Sequence, residues 1–173
     1  MLPLKSTDGY FNALIEIPAG TNKKFEFNKK SSTFEIDKRD GEERIIPYLP
    51  YFANYGFIPS THSDTNEGGD GDPVDVFVIC ESLKQGTLMP IIPLGTVKLI
   101  DDGEIDYKVI AVPADEKLNL LKIKSFASLQ NQFPTILQII ELWLSNYDTD
   151  PLQIDGWLNE SETEKYILEN LQT

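Results

Sequence analysis

Residues 10–17, YFNALIEI, alternate and are rich in apolar side chains, which predicts a strand stopped by Pro18, Ala19 and Gly20. Residues 23–28, KKFEFN, alternate strictly, so Lys24, Glu26 and Asn28 face one way and Phe25 and Phe27 the other. Lys30, Ser31 and Ser32 read as a turn, residues 33–37 as the returning strand, and residues 38–44, KRDGEER, as a charged turn on Asp40-Gly41. Residues 45–61 hold three prolines and five aromatics without a clear period, which predicts a loop that packs its rings. The run Val76-Phe77-Val78-Ile79 is made of strand formers, and residues 88–99 give a strand region broken by Pro90, Pro93 and Gly95. Asp101-Asp102-Gly103 signals a hairpin, with residues 107–112 returning. From Pro134 to Tyr147 the period becomes helical: Ile136, Ile140, Trp143 and Tyr147 recur at spacings 4, 3 and 4, with Ile139 beside them. Ser161 with Glu164 predicts a capping box for a last helix over 162–172, burying Ile167, Leu168 and Leu171.

Short strands followed by helices predict an α+β fold, mainly β: a closed barrel with flanking C-terminal helices, one domain over residues 1–173. The net charge of −13 argues against a nucleic-acid partner, since such binding depends on neutralising phosphates. It leaves phosphate substrates open, because bound metal ions invert the local field. The single cysteine, Cys80, ends an apolar run and reads as a core thiol, and the single histidine, His62, has no partner for a zinc site. No apolar run is long enough to span a membrane and the N-terminus has no signal-peptide pattern, so the expectation is a cytoplasmic protein without a membrane partner.

Two stretches carry chemistry. Residues 68–79, GGDGDPVDVFVI, pack Asp70, Asp72 and Asp75 into six positions before a strand. Clustered carboxylates repel one another, and a hard divalent cation relieves that repulsion with oxygen ligands. Residues 101–106, DDGEID, form a second acidic turn, and Lys108 shares a strand face with Asp106. If the two bordering strands are neighbours, Asp70, Asp72, Asp75, Asp101 and Asp106 meet at one rim and surround two or more metals. An EF-hand loop from Asp64 to Asp75 is disfavoured by Gly68, Pro73 and flanks that are not helical. Glu16, in an otherwise apolar strand, reads equally as a solvent-facing residue or a functional one.

The string Asp70-Gly71-Asp72-Pro73-Val74-Asp75-Val76 resembles the signature of the soluble family I inorganic pyrophosphatases, and IEIPAG, KFEF, ANYGFIPST and DDGEIDYKVIAVP extend the resemblance over most of the chain. The resemblance implies a five-stranded OB-like barrel that uses several Mg²⁺ ions to hydrolyse diphosphate, in a homo-oligomer, a hexamer favoured. It implies metal binding by Asp70, Asp75 and Asp101, with Asp106 and Glu16 in the metal shell or just behind it. It makes Asp72 the general base, Tyr55 and Glu26 further active-site residues, and Lys24, Tyr51, Lys108 and Tyr147 phosphate contacts. For the phosphate-binding arginine, Arg39 and Arg44 compete, and Arg44 is favoured because it leads from a Gly-containing turn into the apolar run. Phe52 stands where many members have proline, a change expected to be structural. Asp148 stands where a lysine usually follows the late tyrosine, which predicts weaker substrate binding or a lysine supplied from elsewhere. The readings set against this one are hydrolysis of another short phosphoanhydride, a metal-binding β-barrel without catalysis, and an oligonucleotide-binding barrel.

Overall fold

The computed structural model describes residues 2–148 and 152–172. In chain order it contains β1 (Phe11–Ile17), β2 (Phe25–Asn28), β3 (Thr33–Ile36), β4 (Lys38–Arg39), β5 (Glu42–Glu43), β6 (Asn54–Phe57), β7 (Asp75–Val78), β8 (Leu88–Asp101), β9 (Glu104–Ile105), β10 (Lys108–Pro113), α1 (Phe126–Gln132), α2 (Pro134–Leu144), β11 (Leu152–Leu158) and α3 (Glu160–Glu169).

The ring runs β1-β6-β7-β10-β8, and β8 pairs back onto β1, so five strands close into the predicted barrel. Four of the five junctions are antiparallel; β7 and β10 run parallel, with Lys108 opposite Asp75. Side chains alternate between two cores, as strand geometry requires. Val76, Val78, Val109 and Ala111 share one core with Ile167 of α3. Phe77 and Ile110 share the other with Ile140, Trp143 and Leu144 of α2. Each large buried side chain contributes about 1.5–3 kcal/mol.

Residues 54–57, expected in a loop, form a fully buried strand. Gly56 obscures the strand pattern, yet the strand depends on it: a Cβ there would lie 1.8 Å from the Leu14 carbonyl oxygen of β1. β8 is one unbroken strand of 14 residues despite Pro90, Pro93 and Gly95. Pro93 sits at the register shift between β8 and β10, where a missing N–H is tolerated. Gly95 leaves room for the Phe126 ring of α1 and the Leu158 carbonyl of β11, which a Cβ would meet at 2.6 and 2.8 Å.

The C-terminal part departs further from expectation. α1 and β11 have no counterpart in the predicted elements, and β11 pairs with β8 between the two longer helices. α3 is capped by Asn159 and Glu162, not by Ser161 and Glu164. Its cap therefore lies two residues earlier, where Asn159 in extended backbone accepts from the Glu162 N–H. Of the expected buried side only Ile167 is buried; Leu168 and Leu171 are exposed at 47% and 40%. On α2, Ile140 and Trp143 face the core while Ile139 points outward. Trp157, on β11, is half-buried against both α1 and α2.

Candidate active site

The parallel pairing of β7 with β10 brings the two acidic turns together. Asp75 begins β7 opposite Lys108, which begins β10, and Asp101, at the end of β8, lines the same cavity. Asp102 and Gly103, both at positive φ, turn the chain from β8 into β9, as a two-residue hairpin needs. The cavity has a volume of about 180 Å³. It is lined by Lys24, Arg44, Tyr51, Tyr55, Asp70, Asp72, Asp75, Asp101, Asp106, Lys108 and Tyr147, and also by Arg39. Glu16 and Glu26 line an adjoining cavity that shares Lys24, Tyr55, Asp72 and Asp75.

At the floor, the buried Lys108 ammonium donates to Asp75 Oδ2 and to Asp106 Oδ1, each at 2.5 Å. Tyr55 Oη donates to the same Asp75 oxygen at 2.5 Å. Burial works against the Lys108 charge, but Asp106 and Asp75 outweigh it and hold the pKa well above its ordinary value. One lysine does not balance the carboxylates around it. Burial, with Asp106 and Asp75 nearby, pushes Asp70 up to about 6. Asp75 and Asp101 are raised too, by burial first and by Asp106 among their neighbours. Glu16 is buried, accepts from the Phe27 N–H at 2.6 Å, and is pushed up to about 8, chiefly by burial. It is therefore not a solvent-facing strand residue.

These shifts describe a rim short of positive charge, with carboxylate oxygens as its donors. That chemistry fits a hard divalent cation. Among the described residues no three acidic, histidine or cysteine side chains converge into a ready cage. The carboxylates are spread around the cavity, with the Lys108 ammonium between two of them. The stretch from Asp64 leads into a short 3₁₀ turn and then β7, so it lacks the helical flanks of an EF-hand.

A second group of lining residues is cationic. Lys24 precedes β2 and pairs with Glu26 at 3.0 Å and with Asp37 at 3.4 Å. Arg44 follows β5 and donates to Asp37 at 2.9 Å and to Asp148 at 2.6 Å. Arg39, on β4, donates through both terminal nitrogens to the two oxygens of Asp148, at 3.1 and 3.2 Å. Burial opposes the charge of Arg44, yet its pKa is raised by Asp37 and Asp148. Burial likewise opposes ionisation of Asp37, but the Arg44 bond and Lys24 hold it below the ordinary value. Asp37 was not among the residues singled out from sequence. Its signal was the hairpin register: Phe25 pairs with Ile36, which sets Lys24 across from Asp37.

Aromatic packing places the tyrosines. Trp143 donates to the Leu49 and Pro50 carbonyls and stacks on Tyr147 with centroids 4.7 Å apart and planes 7° from parallel. Tyr51 packs on Trp143 and Tyr55. Burial raises the pKa of Tyr51, Tyr55 and Tyr147, so they stay protonated donors at neutral pH. Phe52 stacks on Phe77 at 4.9 Å, a packing role as expected. Cys80 is half-buried, and burial pushes its thiol up to about 11.

Known proteins point the same way. Residues 13–173 match the family described as inorganic pyrophosphatase. The inorganic pyrophosphatase of Neisseria meningitidis serogroup A is 34% identical over 172 residues, covering 95% of this chain and 88% of the relative. A chloroplastic soluble inorganic pyrophosphatase of Chlamydomonas reinhardtii is 32% identical, covering 96% of this chain and 64% of its own length. The crystal structure of an inorganic pyrophosphatase from Neisseria gonorrhoeae superimposes with a TM-score of 0.81 at 32% identity, covering 98% of this chain and 94% of that one. That of a type I enzyme from P. falciparum gives 0.87 at 28% identity, covering 98% of this chain and 60% of the other. On the match over residues 13–173 and the closed barrel that carries its signature aspartates, this chain belongs to the inorganic pyrophosphatase family.

Proposed function

We propose that this cavity hydrolyses inorganic diphosphate to two orthophosphates. The observation that carries the reading is one small cavity lined both by carboxylates and by lysine, arginine and tyrosine donors. The family is named for this reaction, and its relatives in bacteria, yeasts and plants carry the same name.

A water attacks one phosphorus in line, its proton leaves, the bridging P–O bond breaks, and the second phosphate departs. Asp72 is the base in this reading: its side chain is exposed toward the cavity, and its backbone N–H is fixed by the Asp70 carboxylate at 2.9 Å. Lys24, Arg44, Tyr51, Lys108 and Tyr147 hold the phosphate oxygens and stabilise charge on the leaving group. Tyr55 fixes Asp75, and Glu26 fixes Lys24. Hydrolysis in this family depends on metal ions. The residues that would hold several Mg²⁺ ions are Asp70, Asp75, Asp101 and Asp106, with Glu16 behind them. Such ions, when bound, lower the pKa of a coordinated water and neutralise phosphate charge.

Orthophosphate release from diphosphate, with and without Mg²⁺, tests the reaction. Rapid Mg²⁺-dependent release that collapses in Asp72→Asn supports both reaction and base. Release that persists in the variant moves the base elsewhere, and no release from the wild type under any divalent metal rejects the reading. A panel of other short phosphoanhydrides tests substrate choice.

The proposal extends to a cytoplasmic homo-oligomer, a hexamer favoured. No helix among the described residues is long and apolar enough to cross a membrane. The outward Ile139 and Leu142 of α2, 51% and 62% exposed, support association. Sedimentation velocity tests the assembly, with a monomer at micromolar concentration as the contrary result.

A further inference from the structure

The cations of the basic wall do not stand alone. Arg39, Asp148, Arg44, Asp37, Lys24 and Glu26 form an unbroken chain of alternating charge, each member within 3.4 Å of the next. Lys24, Arg39 and Arg44 line the cavity; Asp37 and Asp148 do not. The three cations thus reach the cavity, while Asp37 and Asp148, which collect them, lie outside its lining. Two guanidinium groups repel at close range, and Asp148 holds them together with a bidentate bond to Arg39 and a shorter bond to Arg44. Asp148 is well placed for this: its side chain is only 14% exposed, and it directly follows the Tyr147 that stacks on Trp143.

We propose that Asp148 is a positioning residue that gathers Arg39 and Arg44 into one clamp for the phosphate end of the substrate, and that Arg39 is a substrate-binding residue. The inference rests on the diphosphate reading above. It assigns both arginines to the site, where the sequence left one of them to be chosen. It also reverses the meaning of Asp148. An anion facing the substrate repels it, so its removal tightens binding. An anion behind two arginines orders them, so its removal weakens binding.

The test compares the wild type with Arg39→Ala, Asp148→Asn, the double variant and Asp148→Glu. KM and kcat for magnesium diphosphate are measured, with the dissociation constant of methylenediphosphonate, a non-hydrolysable analogue, and the melting temperature. Arg39→Ala is expected to raise KM and the analogue constant about tenfold, the loss of one charge-assisted contact, with kcat within about twofold. Asp148→Asn is expected to raise both about fivefold or more. The double variant is expected to be no worse than Arg39→Ala by more than about twofold, because both changes remove one device. Asp148→Glu is expected to recover part of the loss. Unchanged or tighter binding in Asp148→Asn, or unchanged binding in Arg39→Ala, overturns the inference while wild-type turnover leaves the diphosphate reading standing. A fall in kcat and melting temperature with KM unchanged makes Asp148 merely structural and also overturns it. A wild type that neither hydrolyses diphosphate nor binds the analogue removes both readings together.

Discussion

On one side of the cavity, Asp75, Asp101 and Lys108 sit at the ends of strands in the closed barrel. On the other, Lys24, Arg39 and Arg44 sit on or beside two small hairpins, β2–β3 and β4–β5, that lie outside the ring. The acidic side is held by sheet register and by a core that packs against both faces of the barrel wall. The basic side is held mainly by ion pairs between partly exposed side chains. Groups that must stay fixed while like charges crowd them are built into the scaffold. In the proposed reading, the groups that would meet phosphate are set on small hairpins and are kept in place by their carboxylate partners.

The largest effect expected on this contrast is catalytic. Asp72→Asn lowers kcat by about 10²–10⁴, the usual worth of a general base, with an unchanged melting temperature because its carboxyl supports no packing; steady-state phosphate release and a thermal melt check both. Next is Lys108→Met. It leaves the half-buried Asp75 and Asp106 without their shared, buried cation and is expected to cost about 3–5 kcal/mol in urea unfolding, partly recovered by added Mg²⁺. An equal loss in Arg44→Ala would erase the distinction between the two sides.

The third effect is a pH dependence. Glu16 ionises at about 8 in the folded protein against an ordinary 4.5. The folded state therefore holds this proton more tightly. That contribution is complete below pH 4.5 and is lost as pH rises through 8. In chelator-treated protein, stability is expected to fall by on the order of 5 kcal/mol across that window, and Glu16→Gln to flatten the slope. Arg44→Ala follows, with kcat/KM down by about 1.5–3 kcal/mol and stability within about 1 kcal/mol of wild type. The smallest is a control remote from both sides. Asn159→Ala removes the α3 cap, costs about 1 kcal/mol, and leaves turnover unchanged.

The barrel was legible where strands alternate and turns are marked, as in β1, β2–β3, and the Asp102-Gly103 corner. It was not legible in β6, because Gly56 answers to the Leu14 carbonyl on another strand, a constraint with no local signature. β8 misled for the same reason: Pro93 is tolerated by a bulge and Gly95 is required by Phe126 and Leu158. The aspartates were legible because their spacing is local, and the parallel pairing of β7 with β10 joins the two turns. The basic wall was harder. Asp148 read as a charge of the wrong sign, because its meaning depends on two arginines more than a hundred positions away.

The stack of Trp143 on Tyr147 makes the site optically visible. The chain has two tryptophans, and Trp157, which packs on Phe126 and donates to Glu141, is not part of the cavity lining. A ligand that moves Tyr147 changes the surroundings of the Trp143 indole directly. In a Trp157→Phe background, the emission of the remaining indole therefore follows occupancy of the cavity in real time, without a label and without turnover.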